Sequence, residues 1–120
     1  MMTPYGRWYM IGGWVVTAIL AVLIAALTLM PIPSGVVSGS DKFHHILAFA
    51  CLAFPLPFVR PRLALWVVVG VISYGGVIEL IQPAFGRTAE WLDLLADGVG
   101  AVIGATVARG LGLWLSRNNP

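Results

Sequence analysis

The chain has 120 residues, of which 59% are hydrophobic and 10% charged, so it holds one domain with a surface too apolar for water. A soluble domain carries about 25% charged residues. Its net charge of +2 comes from seven basic residues scattered without run or stripe, which excludes a nucleic-acid-binding surface.

Residues 8–40 carry no charge, and within them Tyr9 to Met30 is long enough to cross about 30 Å of hydrocarbon as a helix. Pro31, Pro33, Ser34 and Gly35 then end it. The apolar stretch exceeds that of a signal peptide and lacks a clean cleavage site, so the first span is expected to be retained. A second span runs from Lys42 to Val59, with a kink or early end expected at Pro55, which cannot donate to the Cys51 carbonyl. Cys51, the single cysteine, excludes an intrachain disulfide and reads as a small packing residue. The third span runs from Arg62 to Gln82 and the fourth from Trp91 to about Leu113. A spanning segment must satisfy its own backbone hydrogen bonds, so the expected fold is all-α: a four-helix transmembrane bundle, with 1–120 as a single domain.

The charges orient this bundle. Four spans place Arg7, Arg60, Arg62, Arg109 and Arg117 on one side with no carboxylate. All five carboxylates, Asp41, Glu79, Glu90, Asp93 and Asp97, fall on the other side with Lys42 and Arg87. The basic side is expected to be cytoplasmic, with both termini there. Trp8, Tyr9, Trp66, Trp91 and Trp114 lie near span ends, as interfacial anchors do.

Three short segments on the acidic side hold most of the polar chemistry. Asp41 and His45, four residues apart, share a helix face at the start of span two, while His44 points elsewhere. Glu79 and Gln82 close span three. In span four, Asp93, Asp97, Gly100 and Gly104 fall within about 60° of one another on a helix, and the stripe continues to Ala108. Two carboxylates thus stand above small residues that let another helix approach closely. Glu90 reads as an N-terminal charge on its helix. Asp97 lies about 9 Å inside the start at Trp91, a depth at which a carboxylate is a candidate site residue.

The ordered set resembles the VanZ-like family of small bacterial membrane proteins. It comprises Asp41-Lys42-x-x-His45, Glu79-x-x-Gln82, Arg87, and Asp93-x-x-x-Asp97-x-x-Gly100-x-x-x-Gly104. The likeness covers roughly residues 40 to 105. This chain has Asp97 where the family usually carries asparagine, and Ile46 where an aromatic residue often follows the histidine. The resemblance implies a bacterial plasma-membrane protein, in a family named for an association with teicoplanin resistance.

The expected site therefore gathers Asp41, Lys42, His45, Glu79, Gln82, Arg87, Asp93 and Asp97 at the outer leaflet, with Gly100 and Gly104 as packing residues. Membrane lipids are the surrounding partners, and a lipid-linked cell-wall precursor or a glycopeptide is the candidate ligand. His45, Asp97 and Glu79 are the catalytic candidates, His45 as a general base beside a carboxylate, and Arg87 suits an anionic headgroup. A divalent metal among these carboxylates and His45 is a weaker variant, because no tight ligand spacing supports it. The alternative is a structural or accessory protein whose buried ion pairs only hold the bundle together. Transport is least favoured, since polar groups do not run the full depth. Two enzyme motifs fall short. Asp93-x-x-x-Asp97-Gly98 lacks the Ala-Arg of CDP-alcohol transferases, and Pro33-Ser34-Gly35 lacks the histidine of the lipid phosphatase motif.

Overall fold

The computed structural model describes residues 4–29, 41–86 and 91–118. Its helices are α1 (Pro4–Leu29), α2 (Asp41–Ala53), α3 (Pro55–Val59), α4 (Ala64–Ile81) and α5 (Trp91–Asn118). Short 3₁₀ turns, Pro61–Leu63 and Gln82–Phe85, flank α4, and no strand occurs among the described residues. Four stretches are long and apolar enough to span a membrane: Gly6–Leu29, Lys42–Val59, Pro61–Phe85 and Trp91–Asn118. The chain is a multi-pass helical membrane protein.

The second span is two helices because Pro55 supplies no N–H. Phe54 N–H instead reaches the Cys51 carbonyl at 3.3 Å, and α3 resumes with Phe58 N–H on the Phe54 carbonyl at 3.1 Å. Arg60 N–H then closes the turn on the Leu56 carbonyl at 2.8 Å. At the far end of α4, Gly86 adopts φ 76°, a left-handed conformation that stops the 3₁₀ turn before it.

The core of the bundle is the parallel pair α2 and α5. Every buried residue of α5 lies on one stripe: Asp93, Ala96, Asp97, then Gly100, Ala101, Gly104, Ala105, Ala108 and Gly112. Three glycines of that stripe sit directly on carbonyls of the second span. A Cβ at Gly100 would overlap the Ile46 oxygen, one at Gly104 the Ala50 oxygen, and one at Gly112 the Phe58 oxygen. The three pairs share one offset along the chain, so the two spans stay in register past the Pro55 break. α4 covers this pair through Val71, Gly75 and Ile78, a single face at helical spacing that Gln82 of the following turn continues.

α1 is held differently. Gly13 rests against Leu56 of α3, with a hypothetical Cβ 3.3 Å from its Cδ2, and Ile24 is buried in the core. Most of α1 faces outward, including Trp14, Ile19, Val22 and Leu27. Two side chains, one from α4 and one from the 3₁₀ turn after it, clasp it: the Tyr74 hydroxyl donates to the Ala21 carbonyl, and Gln82 Nε2 to the Thr28 carbonyl at 3.1 Å. Trp8, Tyr9, Trp66, Trp91 and Trp114 are all exposed near helix ends, where interfacial anchors belong.

Cys51 departs from its expected packing role. It is exposed, at the edge of a groove that Val16 and Leu20 of α1 and Ile103 and Val107 of α5 also line. In a span that is apolar all round, no polarity pattern distinguishes a lipid-facing position from a core one.

Candidate functional site

The beginnings of α2 and α5 and the end of α4 meet at one end of the bundle, and they bring the acidic residues with them. Asp93 and Asp97 follow Trp91 by two and six residues, so both point along the stripe toward α2 rather than into lipid. They are 3% and 2% exposed, which for carboxylates in a membrane protein demands partners.

α2 supplies those partners. His45 Nδ1 lies 2.7 Å from Asp97 Oδ1, and His45 Nε2 lies 3.9 Å from Asp93 Oδ2. Lys42 Nζ lies 2.7 Å from Asp93 Oδ1. At that distance the ammonium and the carboxylate form a close charge pair. Lys42, His45 and the facing carboxylates thus occupy one side of α2 at spacings of three and four residues. His45 itself is 5% exposed.

Beneath this cluster the packing is aromatic. His45 stacks over Phe49 with ring centroids 6.3 Å apart, and Phe49 meets Tyr74 at 6.1 Å. The absence of a side chain at Gly75 gives the Asp97 carboxylate its place. A Cβ there would be 2.8 Å from Asp97 Oδ2 and 3.0 Å from Phe49 Cε2. Two glycine contacts thus shape the site, Gly100 bringing α5 onto α2 and Gly75 opening α4 to the carboxylate.

The other expected site residues fall as follows. Glu79 is half-buried on α4 near the same end, and Gln82 is fully buried, donating to Thr28 while its Oε1 has no partner among the described residues. Asp41 opens α2, but its side chain lies outside the described residues, as do Arg87 and Glu90. His44 is exposed and touches Phe43 edge-on, apart from the carboxylates. Among the described residues no group of three or more histidine, cysteine, aspartate or glutamate side chains is placed to hold a metal ion. The sequence reading missed Gly75, Phe49 and Tyr74. The pair Gly75-Gly76, one turn before Glu79, was the available signal.

Chemically, the cluster is an imidazole held by one carboxylate and close to a second, with an ammonium on the far side of that second acid. If neutral, His45 satisfies Asp97 with a proton on Nδ1, which leaves Nε2 as its basic atom. Such a buried acid–imidazole–ammonium group in a four-span helical bundle defines a membrane protein with a polar centre at one end of the bundle. The VanZ/LLP1 family model matches residues 9–115, and the chain belongs to that family. No curated protein and no solved structure matches it.

Proposed function

We propose that the acidic end of the bundle faces the outside of a bacterial plasma membrane, with both termini cytoplasmic, and binds a lipid-linked or cell-envelope ligand there. The orientation rests on the five arginines at the opposite end. The observation that carries the site is His45, which is buried against Asp97 at 2.7 Å and also lines a half-open cavity between α1 and α2. A histidine tied to a carboxylate on one edge and bordering a cavity is placed to accept a proton or a hydrogen bond from a ligand. A lipid-linked cell-wall precursor, or the glycopeptide teicoplanin that the family is associated with, fits this location.

The test is a susceptibility assay in a bacterial host expressing His45→Ala and Asp97→Ala, with membrane abundance measured in parallel. Loss of the teicoplanin or envelope-stress phenotype at normal abundance supports the site. An unchanged phenotype in both variants removes it.

A second reading is favoured by the close α2–α5 contact at Gly100 and Gly104. On that reading the buried pairs fix helix register, and the protein is structural or accessory. Removing one partner of a buried pair typically costs about 3–5 kcal/mol. Asp97→Ala would then deplete the protein instead of leaving it folded and inactive.

A further inference from the structure

At the arginine end of the bundle, uncompensated charge stands above a second cavity. That end holds Arg7, Arg60, Arg62, Arg109 and Arg117 and no carboxylate side chain. Asp93 and Asp97 at the opposite end are paired with Lys42 and His45, whereas Arg7 and Arg62 form no ion pair among the described residues.

The cavity lies between α1 and α4 and holds about 320 Å³. Trp14 of α1 borders its surface end on one side, and Leu63 and Trp66 border it on the other. Ala21 and Tyr74 line the far end. Leu63 to Tyr74 covers about 16 Å of helix, close to the depth of one leaflet, about 15 Å. Thr17 and Tyr74 turn their hydroxyls onto the backbone carbonyls of Gly13 and Ala21, so the interior offers hydrocarbon. Gly70 widens it, since a Cβ there would meet nothing within 4 Å.

Helix geometry sets two arginines over this opening. Arg7 precedes Trp14 by seven residues, so it shares that face of α1 about 10 Å nearer the surface. Arg62 precedes Trp66 by four residues, about one turn above it on the other wall. Both arginines are exposed, and both lean toward the N-terminal end of their helix, which is toward the surface. α1 and α4 also begin at this end, so their positive dipole ends add to the two guanidiniums. Cationic groups above one leaflet's depth of hydrocarbon complement a phospholipid of net negative charge.

We propose that the α1–α4 cavity seats an acyl chain of an anionic phospholipid, with its phosphate at Arg7 and Arg62. The site is independent of the acidic end, which lies in the other leaflet. Guanidinium binds phosphate through paired, charge-assisted hydrogen bonds, and basic pockets between spans take anionic head groups. Phosphatidylglycerol supplies chain and net charge together. Phosphatidylcholine offers the same phosphodiester with its charge cancelled by choline.

Native mass spectrometry of the full chain in a neutral maltoside detergent tests it, with phosphatidylglycerol, phosphatidylcholine of the same chains and glycerophosphate as probes. One phosphatidylglycerol is expected per chain, bound about tenfold more tightly than phosphatidylcholine. Glycerophosphate, a phosphate without a chain, is expected not to displace it at equal concentration. Arg7→Gln combined with Arg62→Gln should erase the preference for the anionic lipid. Arg109→Gln combined with Arg117→Gln removes equal charge from α5, which does not line the cavity, and should preserve that preference. Gly70→Leu fills open space without a clash and should weaken both lipids about tenfold. Thr17→Phe, on the α1 wall, takes its place should the leucine variant melt early. Equal binding of the two lipids, displacement by glycerophosphate, equal loss in the two arginine pairs, or indifference to the wall substitutions overturns the proposal.

Discussion

Along the seam between α2 and α5, three glycines set backbone directly on backbone, whereas α1 meets the same bundle across cavities. The seam leaves no room at Ile46, Ala50 or Phe58 for even a methyl group on the facing helix. On the other flank, the 250 Å³ cavity separates α1 from α2, and a second of about 320 Å³, lined by Trp14, Leu56 and Trp66, separates it from α4. Lipid offers no hydrophobic drive to bring helices together, so association there depends on close contact and polar bonds. The seam uses the first throughout and adds the Lys42–Asp93 and His45–Asp97 pairs at one end. α1 relies on its Gly13 contact, Ile24 and the clasps from Tyr74 and Gln82. The lesson is a division of labour: one helix pair is fixed tightly enough to hold charged groups in register, and a looser neighbour leaves space beside them.

The largest expected effect comes from breaking the seam. Gly104→Val sets a branched side chain against the Ala50 carbonyl, where only backbone can move, and should cost about 3 kcal/mol or more. Thermal melting in detergent and membrane abundance would both fall; a normal melt would mean the helices are not in this contact.

A smaller loss is expected where a side chain, and not backbone, has to yield. Gly75→Ala pushes on Asp97 Oδ2 and Phe49, for about 1–3 kcal/mol, and should shift the ¹⁵N resonances of the His45 ring as its carboxylate partner moves. An unperturbed imidazole spectrum would disconnect Gly75 from the site.

The α1 flank should respond least. Tyr74→Phe removes the bond to the Ala21 carbonyl, worth about 0.6 kcal/mol for an average hydrogen bond between membrane helices. Gly76→Ala, with open space around its Cβ position, is the control and should change the melt by less than about 0.5 kcal/mol. If Tyr74→Phe proved as damaging as Gly104→Val, the contrast between tight seam and loose flank would collapse.

The polar stripe on the fourth span was legible because aspartates and glycines interrupt an apolar sequence at helical spacing, and that periodicity survives into the structure as one buried face. The Pro55 break was equally legible, since a missing N–H acts locally. Which groups pair was not. His45 meets Asp97, 52 residues away, and no spacing within α2 points to that contact. That choice depends on the register between α2 and α5, which no spacing within either helix contains. Gly75 escaped notice for the same reason, because its role exists only where α4 crosses Asp97. Cys51 and the outward faces of α1 were illegible because lipid and protein interior ask for the same side chains.

By itself, the sequence determined four apolar spans and the segregation of every carboxylate to one side of them, because length, hydrophobicity and charge act residue by residue against the membrane. Only the tertiary structure decided that His45 lies between Asp97 and Asp93, that Lys42 answers Asp93, and that a cavity opens beside them. Those outcomes follow from how closely glycines let particular helices approach, which is a property of pairs of helices and not of any one stretch of chain.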